Sequence, residues 1–538
     1  MIIYRVISIF FIAGFACLKV FSQTEKQAQN LPKDYLSDKF HAGRRQALRD
    51  LMPPNSVTVV FAYPIEVFSN DVDYVYHPNP DMYYFSGYKE PDAMLLIFKE
   101  EQTDDEGRYN ELFFVRHRDP KAEQFTGRRL GVEGVKTSLG FQRVYNGEEF
   151  EKFPMDLKKF MIITDMLPDT TGFIVPGSLK QLVSSLVLKG SIKPIDKNLA
   201  LDLMLICNSA NAKNLHSILA YMKPRLNTDA YKNDSLISAL VAKPDSVTLM
   251  EVKKKCRALN IRPIIYNQNT NALRGVKTPE ELVLLKKSVD ISSIAHAEAM
   301  RAVRPDMSER ELEGIMIYIH KKYGAEDEGY PPIIGAGANG CILHYEENAM
   351  TKLGNQLVLM DVGSMYHGYS ADVTRTFPAN GKFTDEQKAI YQIVYEAQEE
   401  VFRICRAGIS FDSLESKTTG VLASGLMKLG LIKEAAQVKT YYPHGVSHQM
   451  GLDVHDNGNY DLLQENMVIT VEPGIYIPAG SDCDKKWWNI GVRIEDDVLI
   501  GKDSCTILSA YAPRKWQEIE KTIAEKSIFD VAKFPALK

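Results

Sequence analysis

Short apolar runs alternate with helical stretches along the first half of the chain. Residues 57–62, 93–98 and 111–115 are mostly apolar and of strand length, which is typical of strands that are buried on both faces. Alternating strands and helices predict an α/β N-terminal domain over residues 32–265. Within this domain, residues 193–259 contain helix-like pieces but no motif that indicates a function.

A different pattern begins after a polar segment at residues 267–277. Thr278 and Glu281 form a capping box, with a proline at the first helical position between them. Ser308 and Thr384 begin similar patterns ahead of two further helices. The sequence therefore predicts three helices with well-defined N-terminal ends in the second half of the chain.

Paired strand-like runs lie between and after these helices. The pairs are residues 357–361 with 371–377, and residues 468–471 with 492–500. Helices that are segregated from strand hairpins predict an α+β fold, here a second domain over residues 278–520.

Size and composition agree with two globular domains. The chain has 538 residues, which exceeds what one hydrophobic core usually serves. Its contents of 45% hydrophobic and 25% charged residues are ordinary for a globular protein. Because the net charge is -5 and no basic run is present, we expect no nucleic-acid partner.

The N-terminus has the pattern of a secretory signal peptide. Arg5 precedes an apolar run, and small residues that end at Ser22 stand before a polar segment. We predict that residues 1–22 are removed and that the protein is exported, either periplasmic or secreted. A membrane anchor is disfavoured because the run is shorter than the ~20 residues of a span and Lys19 interrupts it. Lipidation at Cys17 is a weaker alternative. After cleavage we expect no stable membrane span.

Acidic residues of the second domain stand on apolar strands. Asp361 ends one apolar run, and Asp372 lies on the run that is predicted to pair with it. Glu472 ends a third run, and Glu495 lies two positions after Arg493, so that these two side chains share one strand face. Carboxylates among apolar neighbours are costly unless a cation satisfies them. The pattern therefore indicates a cation site.

A histidine-rich stretch lies between the two pairs of acidic residues and contains His444, His448 and His455. A single strand-end acid is usually a turn residue, and a single histidine is usually a hydrogen-bonded structural residue. Four carboxylates and one imidazole together can hold two divalent cations through shared oxygen ligands. A shell of mostly oxygen ligands favours manganese or a similar ion over a structural zinc site.

These residues carry a resemblance to the pita-bread metallopeptidases, and most closely to the aminopeptidase P group. The resemblance extends from residue 278 to about residue 520. Its five motifs are GAGANGCILHY at 335–345, the aspartate pair at 361 and 372, the histidine stretch 444–456, EPGIY at 472–476, and the strand that carries Arg493 and Glu495. The first half is similar to the N-terminal domain of the family at segments 73–76, 79–88, 90–93 and 127–131. The resemblance implies a pita-bread fold for the second domain.

The resemblance also implies a shell for two metal ions, which we expect to be manganese. By this resemblance Asp361 chelates one ion, while Asp372 and Glu495 bridge both. His448 and Glu472 complete the shell of the other ion. A water that bridges the two ions is the implied nucleophile, since paired cations lower its pKa.

The resemblance assigns catalytic roles to further side chains. Glu472 takes the proton of the water and passes it to the leaving amine. His344 and His455 bind the substrate and stabilise the oxyanion of the tetrahedral intermediate. His444 supports the site or contacts the substrate, and Arg493 orients a metal carboxylate. The implied reaction is hydrolysis of the Xaa-Pro bond at the N-terminus of peptides, by an enzyme that we expect to be a homo-oligomer.

Three alternatives share this fold. A prolidase, which cleaves free Xaa-Pro dipeptides, would use the same metal ligands. The loop between Asp456 and Met467 contains no arginine or lysine that could close the pocket around a free carboxylate, which favours an aminopeptidase. A methionine aminopeptidase is disfavoured because the first domain is large. A binding module that has lost its metals is disfavoured because all five ligand residues are present.

Overall fold

The computed structural model describes residues 32–170, 174–192, 196–212, 214–256 and 263–531. The predicted signal peptide, residues 1–22, lies outside these ranges. No helix among the described residues is both long enough and apolar enough to cross a membrane.

The first domain is built on a twisted mixed sheet. Its strands are β1 (Ser56–Phe61), β2 (Val67–Ser69), β3 (Val72–Asp73), β4 (Met94–Asp104), β5 (Gly107–Val115), β6 (Val144–Asn146) and β7 (Met161–Ile163). Five of them form one sheet in the order β6-β5-β4-β1-β7, in which β1, β4 and β5 pair antiparallel and the two outer strands pair parallel. All six residues of β1 are buried, because both faces of this strand are covered. The three predicted strands are confirmed.

Helices surround this sheet. They are α1 (Asp38–Leu51), α2 (Pro80–Ser86), α3 (Pro120–Thr126), α4 (Gly131–Leu139) and α5 (Leu179–Gly190). The side chain of Asn79 caps α2 by accepting hydrogen bonds from the amides of Asp81 and Met82, and Gly87 ends the helix in a left-handed conformation. The start of α2 is therefore fixed by its local sequence, and this helix is the one that later contacts the second domain.

A helical segment with its own core follows the sheet. It comprises α6 (Lys197–Ser209), α7 (Leu215–Met222), α8 (Asp229–Lys232), α9 (Ser235–Ala242), α10 (Ser246–Cys256) and α11 (Pro263–Arg274). Buried leucines and isoleucines of these helices form a separate cluster. The last helix runs through residue 265, where the sequence placed the end of the first domain. Most of the polar segment at 267–277 belongs to this helix, and Asn269 and Thr270 are buried in the structure.

The second domain combines helices with small sheets, as predicted. Its helices are α12 (Pro279–Ala302), α13 (Glu309–Lys322), α14 (Asp385–Ile404), α15 (Phe411–Lys428) and α16 (Trp516–Ile523). The capping boxes at Thr278, Ser308 and Thr384 are all formed, which confirms the three predicted helix starts. The helices cover a large apolar core that they share with the inner strands.

The strands of the second domain form short hairpins. They are β8 (Asp327–Glu328), β9 (Ile333–Ala336), β10 (Leu357–Asp361), β11 (Ser364–Tyr366), β12 (Tyr369–Ser370), β13 (Thr374–Pro378), β14 (Val468–Val471), β15 (Gly474–Ile477), β16 (Ile490–Arg493), β17 (Asp496–Ile500) and β18 (Cys505–Ile507). The sheet orders are β13-β10-β9, β12-β11-β8, β14-β17-β18 and β15-β16. Both predicted strand pairs are present, with Asp361 opposite Thr374 and Val471 opposite Asp496.

The run that was predicted as one strand at 492–500 is broken in two. Arg493 ends β16, which pairs with β15, whereas β17 begins at Asp496 and pairs with β14. Glu495 lies at the break and forms an isolated bridge with Thr374. The prediction of one continuous strand is therefore wrong, because the chain changes its pairing partner between these two residues. The two side chains still meet, because the Thr374 hydroxyl accepts from Arg493 Nε at 3.1 Å and donates to Glu495 Oε2 at 2.6 Å.

Candidate metal centre and active site

Five predicted ligands converge where these hairpins meet. Asp361 ends β10, Asp372 precedes β13, Glu472 follows β14 and Glu495 lies between β16 and β17. His448 Nε2 lies 3.3 Å from Asp372 Oδ2 and 3.6 Å from Glu472 Oε1. One ligand atom each of Asp372, His448 and Glu495 lie within 4.8 Å of one another. Residues from four separate strand ends thus form a single polar site.

Backbone packing brings the two aspartates together. At Gly363, a Cβ atom would lie 1.8 Å from the carbonyl oxygen of Ala371, so no larger residue fits between the turn after Asp361 and the chain before Asp372. The amide of Asp372 donates to Asp497 Oδ2 at 3.1 Å. A glycine and a buried carboxylate therefore set the separation of this pair.

The charges of the site are unbalanced without a cation. Burial, together with neighbouring carboxylates, raises the pKa of Glu472 to about 7 and raises that of Glu495 well above its usual value. Burial opposes protonation of His448, but the Asp372 carboxylate outweighs it and raises the pKa of His448 to about 9. A divalent cation can replace the protons that such crowded carboxylates hold, and it stabilises their charged form. The residues present therefore fit a divalent-metal centre.

Tyr330 belongs to the site but was not found from the sequence. Its hydroxyl lies 2.5 Å from Asp361 Oδ1 and 2.8 Å from Asp372 Oδ1, so that one proton links both carboxylates. The residue stands in a loop before two prolines, without a helical or strand pattern. No local signal distinguishes it from an ordinary loop tyrosine.

Arg493 connects the carboxylates to the histidine stretch. Its Nη2 donates to Asp361 Oδ2 at 2.6 Å, and its Nη1 donates to the Tyr476 hydroxyl at 2.9 Å. The same hydroxyl lies 2.9 Å from His444 Nε2. His444 Nδ1 lies 3.5 Å from Glu472 Oε2. A continuous polar chain therefore runs from one end of the ligand set to the other.

Two further histidines stand at the exposed side of the ligands. The rings of His448 and His455 meet edge to face, with centroids 4.4 Å apart. Burial lowers the pKa of both His444 and His455, with a further lowering by Arg493 at His444 and by His448 at His455, and His344 adds a smaller effect on each. Both His344 and His455 are exposed, whereas His448 is partly buried. The structure therefore brings every predicted site residue to one place, with two histidines free to meet a ligand.

Comparison with known proteins agrees with this geometry. The profile of metallopeptidase family M24 matches residues 283–502, and that of the aminopeptidase P N-terminal domain matches residues 41–161. The Xaa-Pro aminopeptidase of Escherichia coli K12 is 33% identical over 489 residues, which cover 89% of this chain and 96% of that protein. The chain belongs to metallopeptidase family M24.

Solved structures of M24 enzymes have the same fold as this chain. Aminopeptidase P from Escherichia coli with the inhibitor Pro-Leu is 31% identical, with a TM-score of 0.70 over 91% of this chain and 98% of that one. A zinc-substituted form of the Escherichia coli enzyme in complex with product gives a TM-score of 0.68 at 30% identity, over 91% and 98% of the two chains. The resemblance to aminopeptidase P and the pita-bread fold are thus confirmed. The protein is a metal-dependent aminopeptidase.

Proposed function

We propose that this enzyme removes the first residue from peptides whose second residue is proline, with two divalent ions in its active site. The observation that carries the proposal is the convergence of four carboxylates and one imidazole at the strand ends, in a site where Arg493 and His448 do not balance all four carboxylates. The Xaa-Pro aminopeptidase of Escherichia coli, of which 96% is covered, supports the choice of substrate.

In this proposal each ligand has a defined position. Asp361 would hold one ion, Asp372 and Glu495 would serve both, and His448 and Glu472 would complete the ligand set. When bound, two such ions polarise the scissile carbonyl and lower the pKa of water. We propose manganese because four of the five ligands offer oxygen.

The remaining side chains act on the substrate and on protons. Glu472 accepts a proton at its carboxylate and returns it to the leaving amine, and His444 lies beside it at 3.5 Å. His344 and His455 donate hydrogen bonds to the substrate carbonyl as charge develops on its oxygen. Arg493 and Tyr330 hold the Asp361 carboxylate in place from two sides.

The loop that follows Asp456 favours an aminopeptidase over a prolidase. The loop between residues 456 and 467 contains no arginine or lysine, and its Tyr460 and Leu462 are exposed. Closure around a free substrate carboxylate would need a charged or multiple-donor partner. Prolidase activity remains the second candidate because it uses the same ligands.

The test compares three substrates on one preparation. The purified protein is stripped with a chelator, reloaded with manganese, and offered an Xaa-Pro-Xaa tripeptide, the matching Xaa-Pro dipeptide and an Xaa-Ala-Xaa tripeptide. We expect the proline tripeptide to be cleaved at least as well as the dipeptide, with release of the first residue only, and the alanine control to be left intact. A kcat/KM at least tenfold higher for the dipeptide would make this enzyme a prolidase.

We also propose that the enzyme is exported after cleavage behind Ser22 and acts as a homo-oligomer. The apolar N-terminal run supports export. N-terminal sequencing of protein from extracytoplasmic fractions should begin at Gln23. Light scattering after size exclusion should give a multiple of the chain mass. Retention of the full N-terminus in the cytoplasm would contradict export.

A further inference from the structure

A buried ionic cluster joins the first domain to the active-site loop. Arg274, at the end of α11, is almost fully enclosed. Its Nη1 donates to Asp81 Oδ1 at 2.8 Å, and its Nη2 donates to Asp453 Oδ2 at 2.7 Å and also to Asp456 Oδ1. Lys277 Nζ donates to Asp456 Oδ2 at 3.0 Å. One guanidinium group thus links three carboxylates from two parts of the chain.

The two carboxylates on the loop side flank His455. Asp453 precedes this histidine by two positions and Asp456 follows it directly, and the same nitrogen of Arg274 binds both. The turn is also tightly packed: at Gly451, a Cβ atom would lie 2.1 Å from Asp456 Oδ2. His455 is therefore carried by a turn that is held on both sides, while its own ring remains exposed toward the ligand site.

The other end of the cluster is anchored in the first domain. Asp81 lies in the first turn of α2 and is buried, and it also accepts from the Tyr266 hydroxyl at 2.8 Å. A buried ionic cluster contributes little net stability compared with well-packed apolar residues, because desolvation offsets the attraction between its charges. The guanidinium group instead fixes the relative positions of the carboxylates that it binds, which apolar residues could not do.

We propose that Arg274 is a positioning residue for peptide hydrolysis: through Asp453 and Asp456 it holds His455 against the metal ligands, and through Asp81 it ties that position to the first domain. The proposal rests on the function proposed above, in which His455 acts on the developing oxyanion. A displacement of about 1 Å in a catalytic group can lower turnover on the order of a hundredfold. Lysine at position 274 keeps the charge but cannot reach all three carboxylates at once.

A double-mutant cycle separates positioning from stability. Arg274→Lys is measured alone and together with His455→Ala, on the Xaa-Pro-Xaa tripeptide with manganese. We expect Arg274→Lys to lower kcat by about tenfold or more, with KM within about twofold and metal content unchanged. In the His455→Ala background the same change should lower kcat less than twofold, because the group that it positions is absent. Equal losses in both backgrounds, or no loss in either, would overturn the proposal.

A matched control and a second readout complete the test. Arg225 also donates from two nitrogens, Nε and Nη2, but both go to the single carboxylate of Asp202, at 2.9 Å each, within the helical segment of the first domain. Arg225→Lys should leave kcat unchanged. Amide hydrogen exchange at residues 451–457, measured without substrate, should be at least tenfold faster in Arg274→Lys and unchanged in Arg225→Lys. Unchanged exchange in Arg274→Lys would overturn the proposal even if the substrate assignment failed.

A milder variant is available in case Arg274→Lys does not fold. The side chain of Asp453 is 42% exposed, so Asp453→Asn leaves no buried carboxylate unpaired. It weakens one of the two contacts of the turn, because the amide oxygen accepts without a charge, and should show the same dependence on His455, with a smaller loss of kcat. A loss that is independent of His455 would overturn the proposal here as well.

Discussion

Replacing Glu495 with glutamine should abolish metal binding and yet make the metal-free protein more stable. Burial and the charges of Asp372, Glu472 and Asp361 all raise the pKa of Glu495, and Arg493 opposes them only in part. The amide oxygen of glutamine can still accept the hydrogen bond from the Thr374 hydroxyl. The substitution therefore removes the free-energy cost of either protonating or ionising this buried group, without removing the contact that holds the side chain.

The size of this stabilisation follows from the spacing of the proposed ligand atoms. One oxygen each of Asp372 and Glu495 lie within 4.8 Å of one another, and two unit charges at that distance would repel by about 3.5 kcal/mol at an effective dielectric constant of about 20. Three carboxylates, of Asp361, Asp372 and Glu472, act against two cations, of Arg493 and His448, so that about one repulsive pair is left uncompensated. We expect metal-free Glu495→Gln to be more stable than the metal-free wild type by roughly 1–3 kcal/mol at pH 8.

The difference in stability between metal-free Glu495→Gln and metal-free wild type should depend on pH. Because the pKa of Glu495 is raised in the folded state, the folded protein keeps this proton to a higher pH than the unfolded chain does. The wild type therefore loses stability as pH rises above the usual glutamate pKa, and the glutamine variant does not. The difference in Tm should be small at pH 5 and should grow toward pH 8.

The assay is calorimetry of both chelator-treated proteins across this pH range, together with metal analysis and peptidase activity. Asp372→Asn is the matched control. The pKa of Asp372 is lowered: burial acts against its charge, but the contact with His448 outweighs it, so that loss of this charge should lower the metal-free Tm. A lower Tm for Glu495→Gln than for the wild type, or an equal rise in both variants, would refute the reasoning.

Three further predictions follow from the same site. Asp372→Asn should abolish activity while the chain remains folded, because an amide supplies one neutral oxygen to a position that needs two charged ones; full activity of thoroughly demetallated wild type would contradict this. Alanine at His344 or His455 should lower turnover by roughly a hundredfold, the scale of one lost oxyanion donor, with metal content unchanged; loss of metal would reassign the residue as a ligand. Metal affinity should rise from pH 6 to pH 9, because metal binding releases protons from Glu472 and His448, whose pKa values are about 7 and about 9. Calorimetric titration with metal in buffers of different ionisation enthalpy should detect the released protons. A pH-independent affinity would contradict this last prediction.

Local patterns were sufficient for the helices and for most of the ligands. The capping box at Thr278 and the aspartate at the end of β10 are encoded within a few residues, so that the sequence alone places them on an element. The five proposed ligands stand in motifs whose order resembles that of one family.

Features that depend on distant partners could not be predicted. Tyr330 reaches the aspartates from a loop, and its neighbours in sequence carry no periodic pattern. The break between Arg493 and Glu495 depends on Thr374, which is 121 residues from Glu495. Asp81 and Arg274 are 193 residues apart, so neither could be recognised as part of a cluster before the domains were packed. Pairings of this kind are determined by register and domain contact instead of local propensity.

The bridge between Thr374 and Glu495 has a consequence for how the enzyme acquires its ions. It joins segments that are 121 residues apart, so an unfolded polypeptide offers isolated carboxylates with little affinity for any particular cation. Selection among ions therefore takes place where folding is completed, against whatever supply that compartment holds. Enzyme recovered from different hosts or growth media should carry different ions in the same site.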